Sequence, residues 1–390
     1  MDRITKSISI FGATGSVGLQ AVDIVARDPE TFEVQTLTAE KNVALLAKTA
    51  KKVNAQRCIV SDIKYLDALT QALQGTGIEA LAGNDALCKD AETNVDISVQ
   101  AIVGFSGVAP SLLAAKHCKI LALANKESVV CAGDILKSTC ITAGTELIPL
   151  DSEHSAIFQC LKADPKNLKR IILTASGGPF LNYSASDLQS VTPKQASTHP
   201  NWKMGQRITI DSASMFNKAM EMIEAQVLFD LEPEQIEVVV HPQSILHSAI
   251  VLEDEAIIAQ IGATDMRMPI SYALSYPNRK SIEGTSFDLT QMTELSFLKP
   301  DRVKFPAITL AERAMQLSGK AGLVLNAAKE VGLDFFISDK IKFTDMARGV
   351  AHSLEVYANS GESGPDTLDA LIAMNDEYRQ VTKAFFEREH

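Results

Sequence analysis

Over the first 150 residues, short apolar runs alternate with amphipathic stretches: SISIFGA, EVQTLTA, RCIVS, IEALAG, ISVQAIVG, KILALAN and TELIPLD. Runs this short, punctuated by Gly, Asn or Asp and separated by helical periodicity, predict βαβ units and a parallel sheet. From residue 151 to about 275 the rhythm changes. IEVVVHP, ILHSAIVLED and AIIAQIGA follow one another closely, with Glu253-Asp254-Glu255 as a hairpin turn, so a mixed or antiparallel sheet is expected there. Residues 276–302 lack sustained periodicity and read as a connector. From Phe305 onward the pattern is helical, with Pro306 suited to a helix start, Gly319 to a stop and Thr344 to an N-cap. The expected fold is therefore α/β: a parallel sheet over 1–150, an α+β region over 151–275, the connector, and a helical bundle over 303–390.

A length of 390 residues exceeds one ordinary core, in keeping with this division. Hydrophobic content of 46% with 22% charged residues is that of a well-packed globular protein. A net charge of −11 argues against a nucleic-acid partner, which needs a basic face. An anionic small substrate is still compatible, because local lysines and backbone amides act within an acidic protein. The six cysteines show no CxxC and no paired spacing, the pattern of a reducing cytosol. No apolar run approaches the ~20 residues of a membrane span. Only MDRITK precedes the first strand, which leaves no room for a targeting peptide, so a cytoplasmic protein with no membrane partner is expected.

The stretch ISIFGATGSVGLQAVDIVARD is a strand, a glycine turn and an amphipathic helix. Gly12, Gly15 and Gly18 are spaced GxxGxxG. Such a turn lets the backbone approach a pyrophosphate, which the helix N-terminus then binds, while Thr14 and Ser16 add hydroxyl donors. A tight strand-to-helix turn needs the same glycines, but the place at the head of a βαβ series favours Rossmann-like dinucleotide binding. The second strand ends in Glu40, Lys41 and Asn42. A carboxylate favours a free ribose hydroxyl and a cation favours a 2′-phosphate, so these residues alone leave NAD against NADP open. Asn125, Lys126 and Glu127 end a further strand, where ligands bind in open sheets; an ordinary polar loop has the same composition.

In LIPLDSEHSAIFQC, Asp151 is either the polar cap of the helix that follows or, with Glu153, a metal ligand. Two residues apart on an extended segment, Asp151 and Glu153 point the same way, with Ser152 on the opposite side or in the turn. Converging carboxylates repel unless a proton or a hard cation such as Mg²⁺ or Mn²⁺ intervenes. Read as one helix, ITIDSASMFNKAMEMIEAQVLFD places Ser214, Asn217, Lys218 and Glu221 on a narrow polar stripe through apolar neighbours. That inverts the proportions of a surface helix and suits a buried helix lining a polar pocket. Ser176-Gly177-Gly178 ends another strand and can offer amides to a phosphate or form a plain turn. The loop THPNWKMGQ holds His199, Trp202, Met204 and Gly205 and suits a lid. Four of the seven histidines (His154, His199, His241 and His247) lie in this middle region, which leaves a zinc site as an alternative without HExxH spacing to support it.

Taken in order, GATGSVG, LANKES, LDSEHSAIFQ, ASGGPF, HPNWKMG, IDSASMFNKAMEMIEA, HPQSILHS and DMRMPISYALSYPNR make the chain resemble the 1-deoxy-D-xylulose 5-phosphate reductoisomerase family. The resemblance spans essentially the full length and is densest over 119–279. It implies an NADPH- and metal-dependent enzyme of non-mevalonate isoprenoid synthesis, a homodimer whose contacts lie in the catalytic region. The family rearranges its sugar phosphate by a retro-aldol and aldol sequence and reduces the aldehyde to 2-C-methyl-D-erythritol 4-phosphate. By this resemblance Asp151, Glu153 and Glu221 hold Mg²⁺ or Mn²⁺ and, with Lys126, form the catalytic set. Lys126, Ser152, Glu153, Ser176, His199, Ser212, Asn217, Lys218 and Glu221 meet the substrate. Thr14, Gly15, Ser16, Val17, Lys41, Asn42, Asn125, Glu127 and Gly205 line NADPH, and His199, Trp202 and Met204 belong to the lid.

The sequence departs from the family at a few places. Glu40 stands where Gly is frequent, DSASMFNKAME replaces DSATMMNKGLE with the polar stripe kept, and Lys329 stands where Asn is usual, in the helical tail and remote from the chemistry. Two rival readings are weaker. An aldehyde or semialdehyde dehydrogenase needs a nucleophilic cysteine with a partner, which no cysteine here has. A nucleotide sensor has no reason to confine three carboxylates at one point.

Overall fold

The structure is a computed structural model that describes residues 5–164, 166–198, 205–292, 294–361, 364 and 366–389. His199, Trp202 and Met204, read from sequence as a lid, lie outside the described residues. The chain forms two compact units. One comprises Met1–Ser128, Asp134–Ser155 and Asp265–Thr285; the other comprises Val129–Gly133, Ala156–Thr264 and Ser286–His390.

The first unit carries β1 (Lys6–Phe11), α1 (Ser16–Ala26), β2 (Phe32–Ala39), α2 (Val43–Val53), β3 (Arg57–Val60) and α3 (Leu66–Leu73). It continues with β4 (Glu79–Ala82), α4 (Asn84–Ala91), β5 (Val95–Gln100), α5 (Val108–Ala114), β6 (Cys118–Leu123), α6 (Lys126–Ala143) and β7 (Glu146–Pro149). The seven runs predicted as strands are these seven strands, in the order β4-β3-β2-β1-β5-β6-β7 with every pairing parallel. Ile8, Ile10, Leu37, Ile59, Ile97, Val99 and Leu121 have no exposed surface, as strands covered on both faces require.

The second unit contains most of α7 (Ser152–Leu161), then β8 (Leu168–Ala175), the short α8 (Ala185–Leu188) and α9 (Pro193–Ala196), α10 (Gln206–Ala213) and α11 (Phe216–Phe229). Strands β9 (Ile236–Val240), β10 (Leu246–Leu252) and β11 (Ile257–Ile261) complete a mixed sheet ordered β11-β10-β8-β9. Only β8 and β9 run parallel within it. The hairpin turn falls at Glu253–Glu255 as predicted, closed by the Leu252 amide on the Ala256 carbonyl at 2.9 Å.

Helix α12 (Arg267–Ser275) departs from the expected division, which placed it with the catalytic region and placed residues after 275 in the connector. Residues 265–285 belong to the first unit, because Ile270, Ala273 and Leu274 are fully buried and α12 packs on α1 and β6. Lys6 also donates to the Leu274 carbonyl at 3.3 Å. The tail is helical as expected: α13 (Ala307–Leu317), α14 (Ala321–Ile337), α15 (Asp345–Ser360) and α16 (Leu368–Glu389). α14 is apolar nearly all round and forms the centre of this block, packed by α13, α15 and α16.

Candidate functional site

In the first unit, β1 lies between β2 and β5, so the crevice beyond its carboxyl end is the point where strand order reverses. The glycine turn occupies that point. Gly12 has φ +85°, and a Cβ there would stand 2.5 Å from the Ala101 carbonyl oxygen beyond β5. A Cβ on Gly18 would fall 2.2 Å from the Gly12 carbonyl oxygen, so the helix can approach the turn only with glycine at this position. Gly15 is the N-cap of α1 and supplies no side-chain acceptor. The first-turn amides, those of Ser16 and Val17 among them, therefore meet no capping side chain and suit a phosphate, with Thr14 half-buried beside them. The residues present fit a dinucleotide.

At the end of β2, Glu40 and Lys41 are exposed and 4.0 Å apart, and Asn42 caps α2 by accepting from the Leu45 amide at 3.2 Å. Beyond β6, Asn125 is a bracket. Its Nδ2 donates to the Ile102 and Gly104 carbonyls at 2.7 and 3.0 Å and to Glu127 at 2.8 Å, while its Oδ1 accepts from the Ser128 amide. Asn125 and Glu127 are thus buried, and they fix the segment after β5 against the start of α6.

Leu123 and Pro149 are register partners at the ends of β6 and β7. Lys126 and Asp151, a few residues beyond, consequently meet: Nζ donates to Asp151 Oδ2 at 2.8 Å. Asp151 also heads α7, where its carbonyl accepts from the Ser155 amide at 2.8 Å and its Oδ1 from the Ser152 amide at 3.0 Å. The residue that heads the helix is also the candidate ligand. Glu153 lies in the first helical turn rather than on an extended segment, so the corner between strand and helix, not strand alternation, brings its carboxylate within 4.8 Å of that of Asp151. Ser152 donates to the Glu153 carboxylate. Burial opposes the Asp151 charge, but Lys126 and then His154, whose Nδ1 lies 3.6 Å away, hold its carboxyl well below the usual carboxylate range. Two carboxylates this close, one of them held ionised, fit a hard divalent cation.

In the second unit, the single polar helix expected from sequence is two helices. α10 ends at Ala213, Met215 takes φ +64°, and α11 starts at Phe216. Ser214 therefore leaves the stripe and donates to the Ile210 carbonyl at 2.9 Å. Asn217, Lys218 and Glu221 remain together on α11, where both Asn217 and Lys218 donate to the fully buried Glu221 carboxylate. Gly177 and Gly178 have positive φ, and the Gly178 amide donates to Ser176 Oγ at 3.2 Å. A Cβ on Gly178 would stand 3.0 Å from the Ser212 carbonyl oxygen, so the Ser176 loop lies against the end of α10 that bears Ser212. Gly205 is the exposed N-cap of that same helix.

The zinc alternative loses two of its histidines: His241 faces the Ser296 carbonyl and the Ile245 amide, and His247 faces the Ala263 carbonyl at 3.1 Å. Two residues were under-read from sequence. His154 is fully buried beside Asp151, three residues on along a helix, a spacing that foretells the contact. Lys329 is not remote from the candidate site residues, since its Nζ lies 3.0 Å from Asp211, next to Ser212.

The chain is similar to known proteins over nearly its whole length. The 1-deoxy-D-xylulose 5-phosphate reductoisomerase family profile matches residues 8–133, and its two C-terminal domain profiles match 147–229 and 261–381. The curated reductoisomerase of Jannaschia sp. is 44% identical over 98% of both chains, and that of Rhizobium rhizogenes is 44% identical over 97% of this chain and 96% of its own. The solved Zymomonas mobilis enzyme in complex with NADPH superposes with a TM-score of 0.92 at 39% identity, covering 98% of this chain and all of that one. A second solved reductoisomerase, in complex with NADPH, fosmidomycin and magnesium, gives 0.93 at 37% identity over 98% of each chain. The chain belongs to the 1-deoxy-D-xylulose 5-phosphate reductoisomerase family.

Proposed function

We propose that Asp151, Glu153 and Glu221 hold one divalent cation while Lys126, Ser152, Ser176, His199, Ser212, Asn217 and Lys218 bind the sugar phosphate, within the family's reaction. That reaction is the NADPH- and metal-dependent conversion of 1-deoxy-D-xylulose 5-phosphate to 2-C-methyl-D-erythritol 4-phosphate. The observation that carries the assignment is the corner where Asp151 and Glu153 lie within 4.8 Å of one another. When bound, the cation acts as a Lewis acid on the substrate carbonyl, and NADPH supplies the hydride.

The chain's own groups set the stage. Lys126 keeps Asp151 ionised. Lys218 and Asn217 fix the orientation of Glu221 within a buried helix. Ser176, Ser212 and the Gly177-Gly178 amides receive the phosphate, and Thr14, Gly15, Ser16 and Val17 receive the pyrophosphate of the cofactor. Lys41, Asn42, Asn125, Glu127 and Gly205 complete the NADPH contacts in this reading.

The enzyme acts as a cytoplasmic homodimer. All six cysteines are free thiols, and no helix among the described residues is long and apolar enough to cross a membrane. The outer strand β11 exposes Ile257 and Ile261, an edge that a second copy covers by strand pairing. Following NADPH oxidation with 1-deoxy-D-xylulose 5-phosphate, with and without Mg²⁺, tests the reading. Turnover must require the metal; equal rates after chelation overturn the assignment of the carboxylates.

A further inference from the structure

Two ion pairs of opposite polarity fasten α10 to α14. Arg207 Nη1 stands 2.5 Å from Asp334 Oδ1 on the exposed side, and Lys329 Nζ stands 3.0 Å from Asp211 Oδ2 on the buried side. Residues four apart on α10 thus meet residues five apart, in reverse order, on α14. Charges swapped between the helices penalise a slip along the axis and a rotation about it. α14 is the buried centre of its helical block, and Arg379 of α16 braces it further through Glu330 at 2.6 Å and Asp334 at 3.5 Å.

The buried pair is the informative one. The Lys329 and Asp211 side chains are only 6% and 11% exposed. A buried pair gains little net stability over apolar residues of similar size, but losing one partner leaves an uncompensated buried charge. Asp211 immediately precedes Ser212, whose carbonyl lies against the Ser176 loop. A turn of α10 that carried an unpaired Asp211 toward water would therefore carry Ser212 away from that loop. A displacement of about 1 Å in a positioning group is enough to cost up to ~10²-fold in rate.

We propose that Lys329 is a positioning residue for substrate phosphate: through Asp211 it fixes the rotation of α10 and hence the place of Ser212 beside Ser176. The proposal rests on the phosphate reading of those two serines. Lys329 touches no reacting atom.

The test is steady-state kinetics on Lys329→Met, Asp211→Asn, the double variant and Lys329→Arg, with NADPH binding and circular dichroism measured on each. In Lys329→Met, KM for the sugar phosphate is expected to rise about tenfold or more, with kcat changed less and NADPH affinity held within about twofold. Asp211→Asn in the same background removes the stranded charge and brings KM part of the way back, and Lys329→Arg stays near the parent. An unchanged KM in a folded Lys329→Met protein overturns the proposal. So does a loss shared equally by substrate and NADPH, which marks general destabilisation. Should Lys329→Met fail to fold, the double variant decides: a parental KM there overturns the positioning role, and a raised one supports it. Ser212→Ala separates the two levels. If it raises KM while Lys329→Met does not, the phosphate reading stands and the positioning role falls; if it leaves KM unchanged, both fall.

Discussion

Lys126 and Asp151 stand just beyond the register-paired ends of adjacent parallel strands, with the Lys126 ammonium 2.8 Å from an Asp151 carboxylate that itself lies within 4.8 Å of that of Glu153. Two like charges near 4 Å repel by about 4 kcal/mol at an effective dielectric of ~20, so the lysine balances an arrangement that a cation would complete. Lys126→Met should lower the metal-free melting temperature, by the equivalent of about 1–3 kcal/mol, and Mg²⁺ should raise it by more than in the parent. Thermal melts with and without Mg²⁺ read the difference. Identical metal-induced shifts in the two proteins would mean that Lys126 does not balance those carboxylates.

Glu221 has no exposed surface and accepts from both Lys218 and Asn217. Glu221→Gln keeps the shape and removes the charge. If Glu221 is the third ligand, metal-dependent turnover falls by roughly 10²–10³-fold, as when one stabilising group is removed from a transition state. NADPH affinity stays within about twofold, since the nucleotide turn lies on the other unit. Isothermal titration with NADPH alone provides the control. Near-parental turnover in the Gln variant sinks the ligand role.

If Lys41 meets the coenzyme as proposed, the coenzyme choice rests on an exposed pair. Lys41 is 62% exposed and Glu40 74% exposed, at 4.0 Å, so their attraction is screened and neither dictates the other's position. A 2′-phosphate then recruits Lys41 with little competition. Lys41→Met should weaken NADPH by about 1 kcal/mol, roughly fivefold, and leave NADH unaffected, while Glu40→Gln tightens NADPH slightly. Fluorescence titration of both coenzymes distinguishes this from a general effect: an equal loss for NADPH and NADH places the 2′-phosphate elsewhere.

The central strands of the parallel sheet were legible, because a strand buried on both faces reads as a short, mostly apolar run; in Ile8–Phe11, Leu37–Ala39 and Ile97–Val99 only the small, buried Ser9, Thr38 and Ser98 interrupt it. The break at Met215 was not legible. Methionine is an uncommon residue for positive φ, and the apolar periodicity continues across the join, so Ser214 was placed on the wrong helix. The allegiance of α12 was hidden for a related reason: amphipathicity says that Ile270 and Leu274 are buried, not which sheet buries them. Of the candidate site, Asp151 and Glu153 were visible as a pair, but their geometry comes from a corner. Lys329 needed the tertiary contact with Asp211, which no spacing along the chain encodes.

The buried thiols give a pH prediction whose sign follows from linkage. Burial pushes Cys58 and Cys118 up to about 12 and Cys140 and Cys160 up to about 11. An unfolded thiol titrates near 8.5, so between about pH 8.5 and these raised values the unfolded chain releases protons that the native chain keeps. Their stabilising contribution is complete below about pH 8.5 and is lost as pH rises toward 11–12, at up to roughly 1.4 kcal/mol per thiol per pH unit. Urea midpoints should therefore hold steady from pH 7 to 8 and fall between pH 9 and 10.5. Cys58→Ala/Cys118→Ala starts from a lower midpoint, because cavities remain, but loses less over that interval; an unchanged slope refutes the linkage. The same protonation bears on chemistry. At neutral pH these four thiols are not thiolates, and half-buried Cys88, also raised by burial, is the first to meet a reagent. Alkylation of one thiol with activity retained is the expected outcome, and it separates this enzyme from dehydrogenases that attack through cysteine.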